Sequence, residues 1–435
     1  MNRQNLRTLL RVVCCALLLT SSAELTAASP TPPKIVSIQI IGQKRYSEAQ
    51  IIAASGLKTG QDFDDSALQS AVQKLGASGA FDDVEYRYKA EGTGTAVELT
   101  VKETGKLHGY VFDNFVWLSS HDIDDYLRKQ VPLFSDSLPE SGAVLDDVAR
   151  ALQQLLANNK IVARVEHIQF GPLGSPNWVH LFSETGLELK IQSVQFQGSQ
   201  GMDSAALSRE AAPLVGRSYS LVQCQAFRDS TFVPLYREHG FLRVVLGEPM
   251  ARALAQTAGP NEYDVEVTFP VAEGLVYKWD SVKWSGTQAL TSSDLESLLG
   301  MRQGELANGK KIDAGADQVG QGYGKKGYIE AKLQLEPAYE DTSRTVSYSA
   351  TVYEGRQYRM GTLTLAGLPP SVTQQLQSKW RLKPADIFDS TYLHEFANKQ
   401  LGPVLAGAQI RASAIDVQTR VNRDQLTVDV SIQMK

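Results

Sequence analysis

At 435 residues, with 43% hydrophobic and 21% charged residues, the chain is too long for one ordinary domain and too apolar to stay disordered. Its formal charge of −5 includes no Lys/Arg block beyond the N-terminus, which excludes the basic stripe that nucleic acid requires.

The N-terminus reads as an export signal over residues 1–28. Arg3, Arg7 and Arg11 precede an apolar run from Val12 to Leu19, and small residues follow at Ser21, Ala23, Ala27 and Ala28. Cleavage is expected after Ala23 or Ala28. That run is too short to span a bilayer stably, and no later run is long enough, so no transmembrane segment is expected after signal removal. Cys14 and Cys15 follow Val12 and Val13 rather than a small residue, which argues against lipidation. Cys224 then stands alone; it can form no internal disulfide and reads as a small buried residue on a helix.

A nine-residue phrase organises the rest. KIVSIQIIG from Lys34 returns as KLHGYVFDN from Lys106, KIQSVQFQG from Lys190, KWDSVKWSG from Lys278 and RMGTLTLAG from Arg359. The alternation Ile38/Ile40, Tyr110/Phe112, Val194/Phe196, Val282/Trp284 and Leu363/Leu365 has period two, so each phrase predicts a strand with one buried face. The closing Gly or Asn suits positive φ. A short helix follows each phrase, capped by Ser47 with Gln50 in the first repeat and by Ser292 or Ser293 in the fourth. Gly60, Gly216 and Gly304 then break the chain, with Pro384 in the fifth copy. A second helix comes next: Leu68, Ala71, Val72 and Leu75 share one face, as do Leu145, Val148, Leu152, Leu155 and Leu156. It stops at Gly79-Ala80-Phe81, Gly240-Phe241 or Gly327-Tyr328. Two strands close each repeat, and Glu103-Thr104-Gly105, Glu184-Thr185-Gly186, Glu273-Gly274 and Glu354-Gly355 mark the exits.

Several patterns that suggest chemistry fail on context. Gly322-Tyr323-Gly324-Lys325-Lys326-Gly327 spells a dinucleotide fingerprint, but it ends a helix instead of opening one. His394-Glu395 lacks the second His of a zinc-protease helix, and the other His residues (108, 121, 167, 180, 239) show no ligand spacing. Asp62, Asp64 and Asp65, the Asp122/Asp124/Asp125 run, and Asp146-Asp147 sit at helix starts, where carboxylates cap free amides. No catalytic residue, cofactor or metal is expected.

The βααββ order, the opening strand ending in Gly, the Gly-Phe and Gly-Tyr turns and the Glu-Gly exits resemble POTRA domains. These are the periplasmic modules of BamA-like outer-membrane protein assembly factors and of two-partner secretion transporters. The resemblance covers the whole mature chain and implies an α+β fold of five tandem POTRA-like modules. Their bounds are 34–105, 106–186, 187–274, 275–355 and 356–435, each a three-stranded mixed sheet with two helices on one face. Departures fall in the second module (Asn114 for Gly, Asn158-Asn159 for Gly-aromatic) and the fifth (Gly407-Ala408 without an aromatic). Pro234 is expected to kink or shorten a helix of the third. The family usually continues into a β-barrel of well over roughly a hundred residues. Here the fifth module's last strand, Leu426 to Met434, runs to Lys435, so membrane insertion is not expected of this sequence by itself.

The resemblance implies a non-enzymatic, periplasmic protein, peripheral to the outer membrane. Its implied partners are outer-membrane proteins or their unfolded precursors, and a separately encoded β-barrel protein. An exposed edge strand can pair with an extended chain through its backbone alone. The implied edge is the strand after the second helix, at Phe81–Tyr88, Phe241–Gly247 and Tyr328–Leu335. The candidate binding residues are Val84, Glu85 and Tyr86, then Leu242, Arg243 and Val244, then Ile329, Glu330 and Ala331. The alternative is a structural periplasmic spacer that binds no client, which short linkers between modules favour.

Overall fold

A computed structural model describes residues 32–172, 175–256, 259, 261–411 and 415–434; the expected export signal, with Cys14 and Cys15, lies outside them. The chain divides into two compact units, residues up to 108 together with 128–147, and residues 109–127 together with 148–435.

The first repeat runs β1 (Ile35–Ile41), α1 (Glu48–Ser55), α2 (Asp65–Ala77), β2 (Phe81–Glu91) and β3 (Gly94–Glu103). The last strand takes the middle of the sheet, parallel to β1 and antiparallel to β2. Ile35 and Ile40 are buried, as are Leu68, Ala71 and Leu75 on α2, each large side chain contributing about 2 kcal/mol. Ser47 and Gln50 form the expected capping box, and Asp64 caps α2 by accepting the Ser66 amide at 3.0 Å.

The second repeat has β4 (Leu107–His108), β5 (Tyr110–Phe112), α3 (Ser120–Gln130), β6 (Leu138–Pro139), α4 (Ala143–Asn158), β7 (Arg164–Phe170) and β8 (Val179–Thr185). Its phrase is broken at Gly109. In the first unit β4 pairs with β6, and in the second unit the sheet order is β5-β8-β7.

The third repeat comprises β9 (Glu188–Gln197), α5 (Ser204–Ala211), α6 (Leu221–Phe227), α7 (Val233–Glu238), β10 (Val245–Leu246), β11 (Met250–Gln256) and β12 (Glu262–Ala272). Pro234 brings a wide π-helical turn at Arg228–Phe232, because its missing N–H interrupts the i→i−4 ladder. The fourth repeat is β13 (Lys278–Ser285), α8 (Ser292–Leu299), α9 (Gly309–Lys325), β14 (Lys332–Glu340) and β15 (Thr345–Tyr353). Thr291 caps α8 with Asp294, displacing Ser292 and Ser293 into its first turn. The fifth is β16 (Arg359–Ala366), α10 (Pro370–Lys379), α11 (Ser390–Phe396), α12 (Gly402–Gly407), β17 (Ile415–Asn422) and β18 (Thr427–Met434). It repeats the π-helical turn, at Ala397–Leu401, just before Pro403.

Among the described residues, five mixed sheets share one plan, with the closing strand between the opening strand and the strand after the helices. Gly42, Gly198 and Gly286 explain one fixed letter of the phrase. Their φ values are 94°, 96° and 72°, and a Cβ would collide with the carbonyl oxygen of Val101, Val271 or Val352 on the middle strand. Asn114 does not take that conformation; its side-chain amide donates to Glu184 instead. In the fifth repeat Ala385, at φ 70°, occupies the place of Gly60, Gly216 and Gly304. Like Gly60, Gly216 and Gly304, it donates its amide to the second residue of its phrase.

Candidate polypeptide-binding edges

Val84, Glu85 and Tyr86 lie in the middle of β2, opposite Val101, Thr100 and Leu99 of β3. Among the described residues the other side of β2 has no strand partner, so alternate amides and carbonyls point outward along the regular stretch from Asp83 to Glu91, after a register shift between Phe81 and Asp83. No proline interrupts it. Tyr86 donates to Asp65 at 3.1 Å and stacks with Tyr88 at 6.5 Å, while Phe63 braces Tyr88 at 4.7 Å. Tyr88 is still 51% exposed, leaving an aromatic rail beside the free backbone.

The equivalent edges of the third and fourth repeats are blunted, whereas β7 and β17 carry no proline and pair with their middle strands in continuous register. Pro337 sits within β14 and removes an amide. In the third repeat the edge is cut into β10 and β11 by Gly247, Glu248 and Pro249. Interruptions of this kind are how edges avoid pairing with other chains.

The remaining six candidates require correction, since none lies in a strand. Gly240 and Gly327, at φ 87° and 83°, end their helices, and the chain then makes one more turn. Val244 N–H donates to Phe241 and Ala331 N–H donates to Tyr328, so Leu242, Arg243 and Val244, and Ile329, Glu330 and Ala331, precede β10 and β14. The side chains of Leu242, Arg243, Ile329 and Glu330 reach the next repeat, whereas Val244 and Ala331 pack against the cores of their own repeats. Leu242 packs against the fourth-repeat core cluster that includes Tyr277 and Trp279, and Ile329 against the fifth-repeat cluster that includes Tyr358 and Met360. Tyr277 N–H donates to Gly240 at 3.1 Å, and Tyr358 N–H donates to Gly327 at 2.8 Å.

Each joint carries a three-residue polar lock. In the first, Arg243 donates to Asp341 at 3.3 Å and to the Tyr277 hydroxyl at 3.2 Å, and that hydroxyl donates to Asp341 at 2.6 Å. In the second, Arg423 donates to Glu330 at 2.9 Å, and the Tyr358 hydroxyl donates to the same carboxylate at 2.8 Å. Those hydrogen bonds, Tyr358 first and then Arg423, hold the Glu330 carboxyl below its ordinary range. A legible signal existed: each lock tyrosine directly precedes the basic residue of its phrase.

The exit glutamates clamp the loop after the opening strand. Glu103 accepts the amides of Lys44 at 2.7 Å and Arg45 at 2.9 Å; Glu273 accepts Gly201 at 2.7 Å and the Ser199 hydroxyl at 2.7 Å; Glu354 accepts Gln288 and Ala289 at 2.6 and 2.8 Å. Burial works to raise the Glu103 and Glu273 carboxyls, but these donors outweigh it and hold both below the ordinary range. Glu184 differs. Its backbone N–H donates to the Asn114 side chain and its carboxylate accepts from Asn114, and burial pushes it up to about 7.

Among the described residues no cluster of three His, Cys, Asp or Glu side chains is placed to hold a metal ion. Cys224 is fully buried, and burial pushes its thiol up to about 12, as befits a packing residue. Gly322, Tyr323 and Gly324 lie within α9 and Gly327 ends it, so the fingerprint-like run is a helix terminus.

A family model described as POTRA, surface antigen variable number repeat, matches residues 33–104 and 277–355. Both stretches are POTRA domains. The two matched POTRA stretches contain the first and fourth sheets. Over 398 residues the chain is 20% identical to the outer membrane protein assembly factor BamA of Neisseria meningitidis, covering 88% of this chain and 48% of that protein. Over 436 residues it is 18% identical to BamA of Buchnera aphidicola, covering 92% and 64%. A putative outer membrane protein assembly factor of Treponema pallidum is 20% identical over 213 residues, covering 48% and 25%. The chain thus spans less than two thirds of each relative's length. Among solved structures, POTRA3-5 of Haemophilus influenzae BamA is similar at 20% identity and a TM-score of 0.45, over 57% of this chain and 96% of that one. No described helix is long and apolar enough to cross a membrane.

Proposed function

We propose that this POTRA-domain protein is a periplasmic scaffold in outer-membrane protein assembly or secretion, with five modules bounded as the phrases divide them. It binds extended segments of outer-membrane polypeptides by strand addition, docks on a separately encoded barrel, or does both, and it carries out no catalysis itself. The observation that carries this reading is the long β2 edge, free of proline and in continuous register from Asp83 to Glu91, with its Tyr86 and Tyr88 rail, set against the third- and fourth-repeat edges broken by Pro249 and Pro337. Clients that share strand alternation but no sequence motif suit a receptor that reads backbone. Photo-crosslinkers at Glu85 and at Glu336 test it in intact envelopes. Adducts with outer-membrane polypeptides at Glu85 and few at Glu336 support the reading; equal or absent adducts at both sink it.

The joints favour a second reading, a spacer without clients, because Leu242 and Ile329 are used to fix neighbouring repeats together. Full protein function in the envelope despite a blocked β2 edge would favour the spacer.

A further inference from the structure

The two locks occupy equivalent positions with opposite polarity. Arg243 and Glu330 each stand three residues after the glycine that ends a helix. Asp341 and Arg423 are each the first residue beyond the edge strand of the next repeat. The tyrosines 277 and 358 are equivalent too, each one residue before its phrase. Thus the third repeat offers a cation to an acidic hairpin, and the fourth offers an anion to a basic one.

We propose that this reversal is an address code, which lets each repeat dock on its own neighbour and rejects the same joint formed with the wrong repeat of a second copy. The apolar parts of the joints do not discriminate, since both insert a β-branched or Leu side chain beside a tyrosine and make the same Gly C=O to Tyr N–H hydrogen bond. Charge does. The third repeat docked on a fifth would set Arg243 against Arg423, and the fourth docked on another fourth would set Glu330 against Asp341. Both wrong pairings bring like charges together, and both correct ones bring opposite charges together. Tandem modules that share one docking geometry are exposed to exchange between chains during folding, and repulsion in the wrong pairing is the physical way to suppress it.

The test swaps one lock while keeping its pair intact. In the full mature chain, Arg243→Glu with Asp341→Arg gives both joints the same polarity, so both wrong pairings become attractive. Glu330→Arg with Arg423→Glu does the same from the other side and serves if the first variant folds poorly. Each protein is refolded from urea at low and high concentration, and its associated fraction is read by light scattering. The swapped proteins are expected to associate more than the parent at high concentration, by roughly three-fold, the ratio that exposed charge pairs support. Combining both swaps restores opposite polarity and is expected to return the parent value. Equal association in parent and swapped chains, or association that persists when both swaps are combined, would overturn the code.

Discussion

Glu273 accepts the backbone amide of Gly201 at 2.7 Å, tying the exit of the third sheet to the loop that leaves its opening strand. Glu103 and Glu354 make the same tie in the first and fourth repeats. Glu273→Gln is expected to destabilise the third repeat by about 2 kcal/mol at neutral pH, the scale of hydrogen bonds to a charged group. Because the folded carboxyl sits below its ordinary value, this stability is present above pH 4.5 and is lost as pH falls through the folded value. Urea unfolding of parent and variant should therefore converge in acid.

Glu184 should behave in the opposite sense. Its folded pKa of about 7 lies above the ordinary 4.5, so the native state holds a proton that the unfolded chain releases between those values. Stability falls as pH rises through this window. Glu184→Gln is expected to raise the melting temperature at pH 8 and leave it nearly unchanged at pH 4.5, and a pH series of thermal melts checks both halves.

Ala385 holds φ 70° where the equivalent positions have glycine. Ala385→Gly should stabilise the fifth repeat by about 1 kcal/mol, because an L side chain is strained there. Gly304→Ala, at φ 84° and with open space around it, should cost the fourth repeat a similar amount. Hydrogen exchange resolved by repeat reads both.

Gly286→Ala should be far worse than Gly304→Ala, because its Cβ meets the Val352 carbonyl as well as an unfavourable φ. A loss of about 3 kcal/mol or more is expected. Equal unfolding midpoints for the two variants would contradict the packing account.

What the sequence makes legible follows from what is local. Ile35, Ile40, Leu68, Ala71 and Leu75 announce strand and helix through their spacing, and Gly42, Gly198 and Gly286 are fixed by contact with their own sheet. The exit glutamates could be seen as a repeated letter, but their role depends on amides some 60 to 70 residues away, which no local pattern states. The joint residues were misplaced for a related reason. Leu242 and Ile329 read as strand residues, since an apolar residue after a Gly-aromatic pair suits a strand, yet tertiary contact with the next repeat claims them first. Only Val84, Glu85 and Tyr86 lie where strand propensity and tertiary structure agree.

We propose that the β2 edge takes an extended client through its backbone. The most direct measurement titrates an amphipathic, outer-membrane-type strand peptide into the isotope-labelled full chain and follows backbone amides. Shifts and exchange protection confined to β2, around Val84, Glu85 and Tyr86, with little change along β14 beside Pro337, are the predicted result. No change at β2 at saturating peptide, or equal change along both edges, would contradict it.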